Sequence, residues 1–233
     1  MCGRYTVTAN PATIAAQLGV GVSSAEGTDR FNVAPTEQVL VVASPKGEPE
    51  AELMRWGLVP PWSKDLKSSY KMINARMETA ATNPAYRALL PKASRRGLQV
   101  ADGYYEWLKP ERRDQPRQPI FFQVDGGAVF AFAALWTPAK IDGEWIHSVT
   151  LLTCDSASNP VASAIHDRMP VILADPGSRR AWLDPEVDAE DALALCGPLP
   201  ADRLSARPVS PAVNKAGDLE GPELLLPPED ESS

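Results

Sequence analysis

The chain has few of the residues that staple or metallate a fold. Cysteine occurs three times in 233 residues, at 2, 154 and 196, and histidine twice, at 147 and 166. So sparse and odd a cysteine set offers neither a disulfide framework nor a zinc-ligand spacing, and it fits a reducing compartment. Two histidines without paired cysteines leave no dedicated transition-metal site. No apolar run reaches 18 residues, so no membrane span is expected. The N-terminus lacks a basic stretch followed by an apolar one, so no secretory signal is expected and a cytoplasmic location is. Positive charge is also scarce: 23 Lys and Arg against 30 Asp and Glu leave −7. That balance argues against a chain that binds polyanions over its whole surface.

What is present is unevenly placed. Between Arg55 and Arg117 there are 13 Lys and Arg and six acids, a local charge of +7, so the remainder carries −14. A basic central segment in an acidic chain is a local footprint for phosphates, or a solvated basic face. Hydrophobic residues make up 44%, ordinary for a globular protein, and the length suits one substantial domain or two small ones.

Punctuation along the chain sets the elements. Residues 10–19 predict a helix capped by Asn10, opened by Pro11 and closed by Gly19. Asn83 and Pro84 predict another over 83–90. Strands are expected at 39–43, 53–59, 97–105, 120–124, 128–135, 148–154 and 171–173, with Gly126-Gly127 turning a hairpin. Short helices are expected at 159–165, 178–183 and 189–196. From 208 the chain is Pro-rich and acidic and is expected to be partly disordered, leaving a domain over 1–207. Many strands and few long helices predict one α+β domain on a mixed, mostly antiparallel, barrel-like sheet with peripheral helices.

The most informative residue is Cys2. Aminopeptidases remove Met1 when the next residue is small, and the mature chain then begins with an amine and a thiol on adjacent carbons. The amine titrates near 7.7–8.0 and the thiol near 8.5, so both are partly nucleophilic at neutral pH. An aldehyde can condense with the amine, and the thiol can close the imine into a five-membered thiazolidine.

Six short motifs follow in order. They are Cys2-Gly3-Arg4-Tyr5; Phe31 through Thr36 (FNVAPT); Arg55 through Trp62 (RWGLVPPW); Asn74 through Thr79 (NARMET); Ala101 through Trp107 (ADGYYEW); and His166 through Pro170 (HDRMP). Together, from Cys2 to about Leu183, they resemble the SOS-response-associated peptidase family, also called the abasic-site-processing family. The departures are Met77, where a small residue is usual, Tyr105 within the fifth motif, and the acidic tail.

The resemblance implies a sensor and shield of abasic sites in single-stranded DNA or at its junctions with duplex. In the family the N-terminal cysteine condenses with the C1′ aldehyde to give a thiazolidine crosslink. Carried over by motif, Glu106 is a carboxylate beside the amine, His166 a proton shuttle to the sugar oxygen, and Asn74 a group that orients the opened sugar. Arg4, Arg76 and Arg168 match positions that clamp phosphates. Trp62 and Pro35 match apolar positions against which bases or sugars stack. Asn32 is expected to hold the Cys2 loop. Trp56 and Trp107 are expected in the core. No cofactor and no metal are expected, and the chain is expected to be a monomer, at the nucleoid when bound to DNA.

Other classes stay open on the residues alone. A Schiff base that proceeds to β-elimination gives a lyase. Cys2, His166 and Glu106 also make a cysteine (auto)peptidase set. A non-catalytic single-strand-binding module would use the arginines and Trp62 only.

Overall fold

Strands that are apolar on both faces close into a ring at the centre of the molecule. The computed structural model describes residues 2–22, 27–67, 69–110, 116–217 and 219–228. In chain order its strands are β1 (Arg4–Val7), β2 (Arg30–Val33), β3 (Gln38–Ala43), β4 (Glu50–Trp56), β5 (Asn74–Arg76), β6 (Arg96–Ala101), β7 (Gly103–Leu108), β8 (Gln118–Val124), β9 (Phe130–Ile141), β10 (Glu144–Asp155), β11 (Arg168–Pro170), β12 (Ile172–Leu173) and β13 (Leu204–Pro208). The helices are short: α1 (Pro11–Leu18), α2 (Met77–Ala80), α3 (Pro160–Ser163), α4 (Pro176–Leu183) and α5 (Ala189–Ala194).

The ring runs β10-β4-β3-β6-β9 and back to β10. Its pairings are antiparallel except β10 with β4, which is parallel. β3 from Val39 to Ala43 and β9 from Phe130 to Thr137 are buried throughout, as strands covered on both faces must be. A second, wholly antiparallel sheet, β13-β8-β7-β1-β2, packs on the ring. Tyr5 of β1 joins the two, edge-on to Trp56 and to Phe132 with ring centroids at 5.2 and 5.7 Å. The architecture is the α+β, mixed and mostly antiparallel, barrel-like one that the strand-rich sequence predicts.

Several elements differ from their sequence reading. Residues 97–105 are two strands in different sheets. Asp102 makes the corner: its buried carboxylate accepts from Thr6 Oγ1, Thr8 N, Thr8 Oγ1 and Ala9 N at 2.5–2.8 Å. Gly103 follows because a Cβ there would meet the Phe121 ring at 2.3 Å. The Gly126-Gly127 turn does not close a hairpin, since β8 and β9 lie in different sheets. The tight two-residue turn lies instead in the β9–β10 hairpin, at Asp142-Gly143 with both residues at positive φ. The strand expected at 53–59 starts at Glu50 and stops at Trp56. Gly57, at φ +125°, ends it with its Cα so close to the next loop that a Cβ would sit 2.5 Å from the Ser69 carbonyl oxygen.

The helix expected at 83–90 is a run of turns. Arg87 N–H reaches Asn83 O and Leu90 N–H reaches Tyr86 O, but the bonds between them are missing. Pro84 and Pro91 bracket too short a stretch for a helix to propagate. Asn10 caps α1 as expected, and Asn159, for which the sequence reading named no cap, caps α3. No break in packing marks residue 207. Val209, Val213 and Leu224 are buried against Tyr105 and Phe121, so the disorder expected from 208 does not extend to the described part of that segment. Residues 218 and 229–233 lie outside the described residues. Among those described, no helix is long and apolar enough to cross a membrane, and no cluster of metal-ligating side chains occurs.

Candidate active site

Cys2 stands two residues before β1. The β1–β7 pairing (Arg4↔Tyr105, Tyr5↔Tyr104) carries the chain start alongside Glu106. Both residues are buried, at 0% and 4% exposure. The Cys2 thiol donates to the Arg4 carbonyl at 3.6 Å. Burial pushes this thiol far above its ordinary range, and the Glu106 carboxylate adds to the shift. Burial also raises the Glu106 carboxyl, while nearby positive charge, His166 included, lowers it.

The other two expected catalytic residues arrive on strands flanking the second half of β10. β5 lies parallel to it (Leu151↔Asn74) and β11 antiparallel (Asp155↔Arg168). From β5, Asn74 Nδ2 donates to the Cys2 carbonyl at 2.9 Å. The Asn74 Oδ1 is buried without a hydrogen-bond partner among the described residues. His166 follows α3, where its backbone N–H closes the helix on Ala162 O. Its Nδ1 accepts from the Arg168 amide at 3.0 Å and lies 2.8 Å from Asp167 Oδ1. Asn74 is thus hydrogen-bonded to Cys2, Glu106 lies within the electrostatic reach of Cys2, and His166 within that of Glu106.

The expected DNA contacts divide. Arg76 is exposed, and its side chain has no hydrogen bond or ion pair among the described residues. Trp62 is 64% exposed on the loop after Gly57. Pro35 is half-buried in the turn between β2 and β3, where Glu37 N–H meets Ala34 O and Thr36 has φ +77°. Arg4 is half-buried and gives Nη1 to Asn32 Oδ1 at 2.8 Å and to Val213 O at 2.9 Å. Burial lowers its basicity, partly offset by Glu37 and Tyr70.

Two expectations need correction. Arg168 is 8% exposed and its fork is already filled: it binds both Glu78 oxygens at 2.7 and 2.8 Å, and Thr153 O at 2.7 Å. A guanidinium fits carboxylate as well as phosphate, and the sequence alone does not say which. Asn32 is 1% exposed; it holds Arg4 and the carbonyls of Val213 and Lys215, not the Cys2 loop. Trp56 is core as expected, whereas Trp107 is half-buried and donates to Asn214 Oδ1.

Sequence reading missed three participants. Tyr70, 69% exposed, lies within the field of Arg4 beside the Trp62 loop. Glu78 sits inside the fourth motif, where an acid among arginines was a usable signal. The segment after 208 carries only a proline-rich composition and gave none.

Comparison with known proteins places this geometry in context. The SRAP family model, described as SOS response associated peptidase, matches residues 1–216. The abasic site processing protein YoqW of Bacillus subtilis is 35% identical over 97% of this chain and 99% of its own. The abasic site processing protein YedK of Escherichia coli is 31% identical over 97% of this chain and all of its own. The abasic site processing protein HMCES of Xenopus tropicalis is 35% identical over 70% of this chain, which spans about half of that protein (53%). A crystal structure of a Bacteroides thetaiotaomicron protein superposes with a TM-score of 0.84 at 20% identity, over 97% of this chain and 99% of its own. The full-length matches and the family model lead to one assignment: this chain belongs to the SOS response associated peptidase (SRAP) family.

Proposed function

We propose that this protein recognises abasic sites in single-stranded DNA and captures them covalently through Cys2. The observation that carries the reading is the buried Cys2 held by Asn74 beside Glu106, whose carboxyl in turn feels His166. Relatives that align over nearly the whole chain bear the name abasic site processing protein, which agrees with it.

The steps balance without a cofactor. After loss of Met1, the Cys2 amine adds to the C1′ aldehyde, and Glu106 takes the proton the amine loses. His166 relays a proton to the departing oxygen, the oxygen leaves as one water with the amine's two hydrogens, and an imine remains. The thiol then adds to the imine carbon, its proton passing to nitrogen, and the thiazolidine closes. Asn74 holds the Cys2 carbonyl through this sequence. Arg4 and Arg76 take phosphates, and Trp62 and Pro35 carry flanking bases or sugars.

The peptidase reading has weaker support: the Cys2 thiol donates to the Arg4 carbonyl at 3.6 Å, and no nucleophile–base hydrogen bond to His166 is found among the described residues. Ring closure by a neutral thiol on an activated imine does not need the thiolate in advance. β-Elimination from the same imine is the competing branch, and the thiol suppresses it by trapping.

The test uses three single-stranded oligonucleotides: intact, abasic, and with a tetrahydrofuran in place of the abasic sugar. Denaturing gels should give a heat-stable adduct with the aldehyde-bearing strand alone. An adduct with tetrahydrofuran, or none with the abasic strand, overturns the reading.

A further inference from the structure

The C-terminal segment touches several of the site motifs at once. Its Val213 carbonyl accepts from Arg4 Nη1 at 2.9 Å and from Asn32 Nδ2 at 3.3 Å. Asn214 Oδ1 accepts from Trp107 Nε1 at 2.6 Å. Glu220 Oε1 accepts from the amides of Phe31 and Asn32 and lies 3.5 Å from Arg30 Nε. Val213 and Leu224 are fully buried on Tyr105 and Phe121. One strap therefore ties together the starts of β1 and β2 and the end of β7, the strands that carry Arg4, Asn32 and Glu106.

We infer that residues 209–217 and 219–226 act as a positioning strap that sets Arg4 for phosphate binding. This deepens the proposed function and rests on it. An arginine side chain has many rotamers to lose on binding, and one fixed in advance loses fewer. With Nη1 held by Asn32 and Val213, the remaining N–H donors of Arg4 keep one orientation. Neither Val213 nor Glu220 needs to touch DNA, so the strap acts through Arg4. Its acidic Glu220 is occupied by the β2 amides and Arg30.

A chain ending at Pro208 would bare Tyr105 and Phe121 and is a poor probe. The Asn214→Ala, Glu220→Ala double variant instead releases the strap at two anchors and leaves its buried side chains in place. Affinity for an abasic oligonucleotide is measured across a salt series for wild type, the double variant, Arg4→Ala and the combination. Thermal melts check the fold. Release should weaken binding about tenfold and flatten the salt slope by about 0.7, one phosphate contact on a single strand. Removing the Glu220 charge would by itself favour DNA, so a loss cannot come from charge. In the Arg4→Ala background the loss should vanish. Unchanged affinity and slope in a folded double variant would overturn the strap, as would an equal loss with and without Arg4. A wild type that does not bind abasic DNA would instead overturn the function on which the strap rests.

Discussion

Cys2 and Glu106 are both buried, and burial moves both toward their protonated forms. For Glu106 this has a consequence for stability with a definite sign. A carboxyl whose folded pKa is raised favours the folded state below its unfolded value, about 4.3, and loses that contribution as pH rises through the folded value. At pH 7 the ionised group is therefore a net cost. Glu106→Gln should melt higher than wild type at pH 7, with the gap closing by about pH 4, while crosslinking slows about 10²–10⁴-fold. Paired thermal melts and single-turnover gels at both pH values check this. At this scale the sequence was most legible, because Cys2, Asn74, Glu106 and His166 are named by motif and their chemistry by residue type. What a motif does not carry is the partner: it showed the arginine at 168 but not the carboxylate that fills its fork.

That pair belongs to the next scale, since it fastens α2 to β10 and β11. Arg168 joins Glu78 of α2 to Thr153 of β10, and its fork holds Glu78 below the usual carboxylate range. A depressed carboxyl stabilises the fold above its unfolded pKa, and the contribution is lost as pH falls through the folded value. Arg168→Ala should cost about 2 kcal/mol in urea unfolding at pH 7, the scale of charge-assisted hydrogen bonds. The deficit should shrink near pH 3, and the salt slope for DNA should not change, as it would for a phosphate clamp. The same scale explains where sequence reading stopped. The Asn10 cap gave α1 closely because a cap is local, while the same signal at Asn83 opens only a run of turns. The sheet switch at Asp102 was missed because alternation reports burial and not which strand lies alongside. The hairpin at Asp142-Gly143 carried a usable turn signal that the Gly126-Gly127 pair drew attention from.

Over the whole molecule, the +7 segment is not one binding face. Arg96 is buried, bonding carbonyls at Leu90 and Val187, and Arg95 lies over the Trp136 ring at 4.7 Å. Lys64, Lys67, Lys71 and Arg76 are each exposed, as are Trp62 and Tyr70, and Lys67 lies 4.0 Å from the Asp65 carboxylate. Replacing the three lysines by Gln should slow association with abasic DNA about tenfold at low salt. The effect should fade at high salt, and the crosslinking rate of bound DNA should be unchanged; stopped-flow and gel kinetics separate the two. The class and broad architecture were legible from strand-rich patterning. The closure of the ring and the strap across the second sheet were not, because both depend on partners far apart in sequence.

The most direct test of covalent capture is the intact mass of the adduct formed by the purified protein with an abasic single strand, beside Cys2→Ala. The account predicts a heat-stable species at the mass of protein lacking Met1 plus DNA minus one water, from wild type alone. A heat-stable adduct from Cys2→Ala, or one that retains Met1, would contradict it.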